Sequence, residues 1–320
     1  MRLIDEAMAA ATSGEVNDPY VTTETFCVML SACELAGDFV RTGHWCEVAM
    51  DYAQRYGSPF LSAYCRTTYG GVLAATGRWQ EAEAALTKAI HAFDAGHQAL
   101  RVHAVLKLAD LRVSQGRLEE ADVLLAGHED QGSAVLPLAR LHFARGEAQL
   151  ARALLENSLQ SMTSLPLSRA PLLRLLVDVL LVLGELEDAK NAALELAEVA
   201  QKAGSDILAA QASLAMGQVK RFTGKMDAVD DFRAALDHLH AFEQSLLAGR
   251  TKLELARTLL ESDEAAAIIW ARAALACFER IGAARDVDEA AQVLRVLGVA
   301  GREGGRQARC PLVGARYSHR

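Results

Sequence analysis

Apolar residues recur at intervals of three and four along most of this chain, and glycines interrupt the pattern at regular points. The clearest stretch runs Tyr69, Gly70, Leu73, then Gly77-Arg78-Trp79, then Ala82, Leu86 and Ala89; a second places Ala228, Phe232 and Ala235 at spacings of four and three. Such spacing puts the apolar side chains on one face of a helix. No run of β-branched residues alternates with polar ones, so strands are not expected. Six glycines, Gly37, Gly77, Gly116, Gly146, Gly184 and Gly224, each sit between two helical stretches at intervals of 40, 39, 30, 38 and 40 residues. A fixed period of this length is the mark of a stacked-repeat array. Each glycine suits the turn of a helix hairpin, where a left-handed backbone costs a residue with a Cβ about 1 kcal/mol or more.

The residues after each glycine repeat as well. Two positions on come Phe39, Trp79, Leu118, Leu186 and Met226, the first apolar contact of each second helix. Five positions on come Thr42, Ala82, Ala121, Ala151 and Ala189, with Ala228 one position early, small enough to let two helices approach closely. These phrases resemble the tetratricopeptide repeat, which is about 34 residues long. The longer period here reads as that repeat with lengthened helices, and the short interval before Gly146 marks a clipped unit. Asp18-Pro19 and Ser58-Pro59 place a capping residue before proline at a helix start. Pro137 and Pro171 fall near expected helix starts, Pro166 shares a connector with Pro171, and no proline is expected mid-helix. A seventh pair is expected from about Glu243 to Gly282, with Ser262-Asp263 in place of the hinge glycine. The expected fold is all-α: an α-solenoid of about seven antiparallel helix pairs, a tetratricopeptide-like right-handed superhelix over residues 1–300, followed by a basic, disordered tail at 301–320.

The ends differ from the middle. Met1 falls almost where a preceding hinge glycine belongs, so residues 2–13 read as the second helix of a half repeat. Leu3, Ala7, Met8 and Ala11 give it a face that either caps the stack or is covered by an upstream domain or second subunit, which makes self-association through this helix an expectation. At the other end Val287, Ala290, Ala291, Val293, Leu294 and Leu297 form a final amphipathic helix, and the tail carries Arg302, Arg306, Arg309, Arg316 and Arg320 against Glu303 alone.

Composition narrows the function. The net charge of −8 disfavours non-specific nucleic-acid binding, which depends on neutralising phosphates with Lys and Arg. No apolar run approaches the ~20 residues that span a bilayer, and Asp5 and Glu6 interrupt any signal-peptide segment. A cytoplasmic protein without membrane contact is expected. Four of the six cysteines, Cys27, Cys33, Cys46 and Cys65, come early without a C-x-x-C pair. A zinc site with His44 fits no ligand spacing, so free thiols, no metal and no cofactor are expected. Acid pairs such as Glu119-Glu120, Asp230-Asp231 and Glu185 with Glu187 suit solvated second helices. His238 and His240, two apart, point to different helix faces. No enzyme is expected.

Several phrases resemble the helical-repeat region of large LuxR-type bacterial transcriptional regulators: Leu3-Ile4-Asp5-Glu6-Ala7-Met8, Gly77-Arg78-Trp79-Gln80-Glu81-Ala82-Glu83, and Ala276-Cys277-Phe278-Glu279-Arg280-Ile281-Gly282-Ala283. In that family an ATPase module precedes the repeats and a helix-turn-helix domain comes after them. Here no G-x-x-x-x-G-K-[ST] loop is present, since Gly224-Lys225 is succeeded by Met226, and no DNA-reading domain is present either. The resemblance therefore implies the isolated sensing and assembly segment of such a regulator, whether a remnant, a fragment or a stand-alone regulator, with no direct DNA binding of its own expected. A general interaction scaffold is the alternative.

First helices line the concave face of such stacks. Counting back from the hinges gives His103, Lys107 and Asp110, then Arg140, then Arg174 and Asp178, then Gln211, Gln218 and Arg221 as inward positions. Mixed charge with long amides suits an acidic peptide or a polar small-molecule effector, and Arg140, Arg174 and Arg221 suit bidentate contacts to carboxylate or phosphate. The Lys and Asn pattern of carboxylate-clamp repeats is missing. A second candidate surface is the aromatic first quarter, where Tyr20, Phe26, Phe39, Trp45, Tyr52, Tyr56, Phe60, Tyr64, Tyr69 and Trp79 crowd together.

Overall fold

The computed structural model describes residues 2–16, 18–94, 98–162, 166–225 and 227–299. The basic tail, with its five arginines and Cys310, lies outside the described residues, as does Met226. The described residues form sixteen α-helices. A lone helix, α1 (Arg2–Ser13), comes first. Seven pairs come after it: α2 (Pro19–Ala36) with α3 (Phe39–Tyr56), α4 (Pro59–Ala75) with α5 (Trp79–Phe93), α6 (Gln98–Ser114) with α7 (Leu118–Leu125), α8 (Val135–Ala144) with α9 (Ala148–Ser161), α10 (Pro166–Leu183) with α11 (Leu186–Ala203), α12 (Asp206–Phe222) with α13 (Ala228–His238), and α14 (Leu246–Leu259) with α15 (Glu264–Ile281). The last helix is α16 (Ala284–Val296).

The hinges share one geometry. All six glycines have positive φ, from 69° at Gly37 to 88° at Gly77. In each hinge the next residue's N–H donates to the carbonyl five residues back: Asp38 to Cys33, Arg78 to Leu73, Arg117 to Arg112, Glu147 to His142, Glu185 to Leu180 and Lys225 to Lys220, all at 2.8–3.0 Å. This closes the first helix and turns the chain into the second. Thr42, Ala82, Ala121, Ala151, Ala189 and Ala228 are fully buried in the crossing beyond the turn. The pair α14–α15 has no hinge glycine; there Asp263 caps α15 and its N–H reaches back only four residues, to Leu259. Asp18, Ser58 and Ser205 cap α2, α4 and α12 with their side-chain oxygens. The clipped unit is real: α7 has 8 residues and α8 has 10.

One expectation is corrected. Pro171 lies inside α10, which begins at Pro166. A proline there cannot donate to the carbonyl four residues back. Tertiary burial outweighs that loss, because Ala170, Leu172, Leu173, Leu175, Leu176 and Val177 are all buried around it. Pro137 falls within the first turn of α8, behind a 3-10 turn at Gly132–Ala134.

Curvature results from which helices touch. Each first helix packs on the next, α2 on α4, α4 on α6 and so on to α14 on α16, whereas no comparable run joins the second helices. First helices therefore form the tighter, concave wall. The curve brings distant repeats together. Phe39 meets Phe242 edge-on at 5.8 Å, the Arg285 guanidinium donates to the Ala144 carbonyl at 3.2 Å, and α2 touches α10. Gly77 lies against the Gln244 carbonyl, which a Cβ would overlap.

That contact can be tested. Gly116→Ala, at a hinge with φ of 79° and open space around it, is expected to cost about 1 kcal/mol from backbone strain alone. Gly77→Ala carries the same strain plus the overlap and is expected to cost about 3 kcal/mol. Urea denaturation of both variants measures the difference; equal costs would show that the turns do not touch.

Candidate binding groove

Helix register sets what the concave wall presents. On α6, Lys107 and Asp110 are one turn apart and point inward. Lys107 reaches past α4 to Glu34 on α2, because Gly71 leaves the intervening space clear. Asp110 pairs with Arg140 on α8. On α10, the Arg174 guanidinium donates to Asp178 at 3.1 Å and to Gln218 on α12 at 2.8 Å. Arg221 on α12 donates to Glu254 on α14 at 2.8 Å. Glu254 also accepts from Arg257 at 2.8 Å, and Arg257 reaches Glu289 on α16 at 2.9 Å. Arg250 donates to the buried Asp286 of α16 at 2.6 Å.

The inward residues expected from sequence thus share one wall, but not as free groups. Lys107, Asp110, Arg140, Arg174, Asp178, Gln218 and Arg221 are rungs of a ladder joining first helices. His103 is exposed, and Gln211 lies part-buried on α12. The ladder holds six cations against six carboxylates. Sequence reasoning missed Glu34, Arg250, Glu254, Arg257, Asp286 and Glu289. Without a hinge glycine the register of α14 had no anchor, although the Arg250, Glu254, Arg257 spacing of four and three is itself a helix-face signal.

The electrostatics mark this wall as an enclosed but wet surface. The Arg250 side chain keeps 48% of its surface accessible. Even so, desolvation by surrounding protein is the largest influence on it, outweighed by Asp286, Asp178 and Glu289, which hold its pKa above the ordinary value. Burial works against the Glu254 charge too, yet Arg221 and Arg257 hold its pKa below the usual carboxylate value. On this wall, among the described residues, three buried polar atoms lack a hydrogen-bond partner: Asp110 Oδ1, Arg174 Nη1 and Gln211 Oε1. Such atoms are uncommon in folded proteins.

Little else resembles a reactive centre. Among the described residues no group of three His, Cys, Asp or Glu is placed to hold a metal. Cys33, Cys46 and Cys65 sit in the core of the first two pairs. Burial, then Glu24, pushes the Cys27 thiol up to about 12, and burial, then Asp38, pushes Cys33 up to about 11, the reverse of what a nucleophile needs. His238 pairs with Asp206 at 3.0 Å, while His240 turns to the Asp237 carbonyl. The early aromatics divide: Phe26, Trp45 and Tyr52 pack together, whereas Tyr20 and Tyr56 are exposed. No described helix is long and apolar enough to cross a membrane.

No protein-family model and no curated protein sequence matches the chain. Solved structures do. The crystal structure of the APC/C hetero-tetramer Cut9–Hcn1 is similar at 18% identity over 90% of this chain, with a TM-score of 0.52; the chain spans about half of that one, 52%. Rap protein complexed with competence and sporulation factor is similar at 14% identity, over 92% of this chain and 95% of that one, with a TM-score of 0.50. A tetratricopeptide repeat protein from Parabacteroides merdae matches at 14% identity over 84% of this chain and 98% of its own, with a TM-score of 0.41. The chain has the helical-repeat solenoid fold of the tetratricopeptide type. At such identities the likeness concerns the fold alone.

Glu254 carries the ladder's densest charge crossing, and acid should expose it. Its carboxylate is harder to protonate in the folded chain than in the unfolded one. Its contribution is therefore complete above about pH 4.5, the ordinary value, and is lost as pH falls further. Glu254→Gln is expected to lower stability at pH 7 by about 2 kcal/mol and to flatten the acid limb of a Tm-against-pH curve. An acid limb as steep as that of the native chain would remove Glu254 from this role.

Proposed function

We propose that the chain is a non-catalytic binding module that holds an extended polar segment of a protein partner along its concave wall. The observation that carries this reading is the wall's mixture of paired charges and leftover valences. The ladder is neutral overall, so it suits a segment of mixed polarity better than a run of one charge. Arg174 Nη1, Gln211 Oε1 and Asp110 Oδ1 are donor and acceptors that a bound backbone or side chain satisfies after a small opening of the wall. Arg140, Arg174 and Arg221 bind by exchanging an internal carboxylate for one on the ligand. His103, Lys107, Asp178 and Gln218 border the same path. Cut9 is held in a hetero-tetramer with Hcn1, and Rap is complexed with competence and sporulation factor; both support a binding role for this architecture.

The narrower reading is the regulatory segment of a cytoplasmic, bacterial transcriptional regulator of LuxR type. The Gly77 to Glu83 and Ala276 to Ala283 phrases support it, as does an acidic balance unsuited to holding DNA. A scaffold unrelated to transcription uses the same wall.

A displayed library of 12-residue peptides, selected on the full chain, tests the proposal. Enriched peptides are expected to bind the native chain and to lose at least about tenfold in affinity, 1.4 kcal/mol, against an Arg174→Ala, Gln218→Ala variant whose Tm is measured alongside. Peptides that bind both equally would move the site off the concave wall.

A further inference from the structure

The hinge turns of the first two pairs do not end in solvent. A Cβ on Gly37 would meet Ile207 Cβ and Ser205 Oγ at 3.2 Å, at the start of α12. Phe39 packs with Ile207, Ala210, Leu239 and Ala248, and Gly77 lies against the Gln244 carbonyl and the Ile281 side chain. The turns of pairs one and two thus rest on the turns that open α12 and α14. This seam is built of apolar side chains and backbone, and none of the ladder's ion pairs crosses it. Gly116, the third hinge, has open space around it instead.

Pairs three and four lie midway between the two sides of the seam, and there the array is thin. Among the described residues, α7 buries only Ala121 and Leu125, where α11 buries six residues. The core that joins α6, α7 and α8 holds seven buried residues, against twenty-four in the core running from α8 to α12. Residues 126–131, which lead from α7 towards α8, are exposed except for His128, and Gly127 has a φ of 79°. Two ion pairs bridge the junction, Asp122 with Arg145 at 2.9 Å and Asp110 with Arg140. Long charged side chains follow a change of angle that an interdigitated core resists. A short, thinly packed unit opposite an apolar seam is the layout of a hinge.

The wall needs such a movement. Asp110 Oδ1, Arg174 Nη1 and Gln211 Oε1 are buried in the closed array, and α2 lies against α10 across the curve. A segment bound along the wall has to reach atoms that solvent does not reach. We infer that the array is gated: it bends at pairs three and four, the seam parts, and the bound segment enters between pairs one and two on one side and pairs six and seven on the other. The closed form is the resting state, so binding selects a minor open form, and apparent affinity scales with the open fraction. The gate rests on the concave wall being the binding surface.

Two measurements separate the gate from the wall, and the first needs no ligand. Gln218→Cys sets a thiol on the wall, part-buried and about 16 Å along α12 from the seam at Ile207. Its labelling by N-ethylmaleimide is read at that site by mass spectrometry. Against this parent, Phe242→Ala removes one ring from the seam, and Gly77→Ala wedges the seam apart at Gln244. Gly116→Ala, with the same backbone strain at an open hinge, controls for lost stability. Circular dichroism and urea midpoints check that each variant is folded. Both seam variants are expected to speed labelling at least about tenfold, and Gly116→Ala by less than about twofold. Equal labelling in all of them would overturn the gate, whatever the wall binds. The second measurement takes peptides selected on the full chain that are lost to Arg174→Ala, Gln218→Ala. They are expected to bind Phe242→Ala at least about tenfold more tightly than the native chain. Equal affinity would overturn the gate and leave the wall as the site. Peptides indifferent to the Arg174 and Gln218 changes, with labelling that still follows the seam, would overturn the wall reading and leave the gate.

Discussion

The hydrogen bond that closes each first helix, from the amide just past the glycine to the carbonyl five residues back, is the constraint on which the rest of the molecule depends. It needs one residue in the left-handed region, and glycine supplies that without strain. With the turn set, the second helix leaves at a fixed angle, and a small residue at the crossing lets it lie close to the first. Ala82, Ala121, Ala151 and Ala189 are fully buried for this reason. Repeated six times, the same turn brings first helices into contact and leaves second helices apart. Curvature is the sum of those steps. Where the glycine is missing, the bond shortens to Asp263–Leu259, and the α14 charges occupy positions that no hinge glycine marks.

A curved array must line its inner wall, and this one does so with paired charge. Burying ion pairs between helices adds little net stability, but removing one partner leaves the other stranded. Glu254, held between Arg221 and Arg257, is the clearest case. The ladder links α2 to α6, α6 to α8, α10 to α12, and α12 through α14 to α16. It therefore works as internal strapping and as a binding surface at once. Whatever binds there competes with carboxylates already in place, which favours ligands making many polar contacts over a single strong anion.

Much of this was legible in the sequence because it is periodic. Hinge glycines, buried alanines and the Asp18 and Ser58 caps are local signals, and each appears where its spacing placed it. The inward residues from Lys107 to Arg221 were legible too, since counting back from a glycine is counting along one helix. Their mutual pairing was not, because Lys107 and Glu34 are 73 residues apart and nothing in either helix names the other. Pro171 misled for a related reason. Local chemistry ends a helix at proline, while the leucines and valines around it, buried on nearly every side, hold α10 together across it. Contacts between distant repeats left no trace at all: Phe39 reads as the first apolar residue of its own second helix, and nothing near it names Phe242 until the curvature brings them together.

That curvature is the central claim, since both the enclosed wall and its wet electrostatics depend on it. Single-molecule energy transfer between dyes at Val40 and Glu243, exposed neighbours of the Phe39–Phe242 contact, measures it directly. One narrow high-transfer population, unchanged between low and high salt because the contact is apolar, is the predicted result. A low-transfer or broad population would show an open solenoid whose first and sixth pairs do not meet, and would contradict the account.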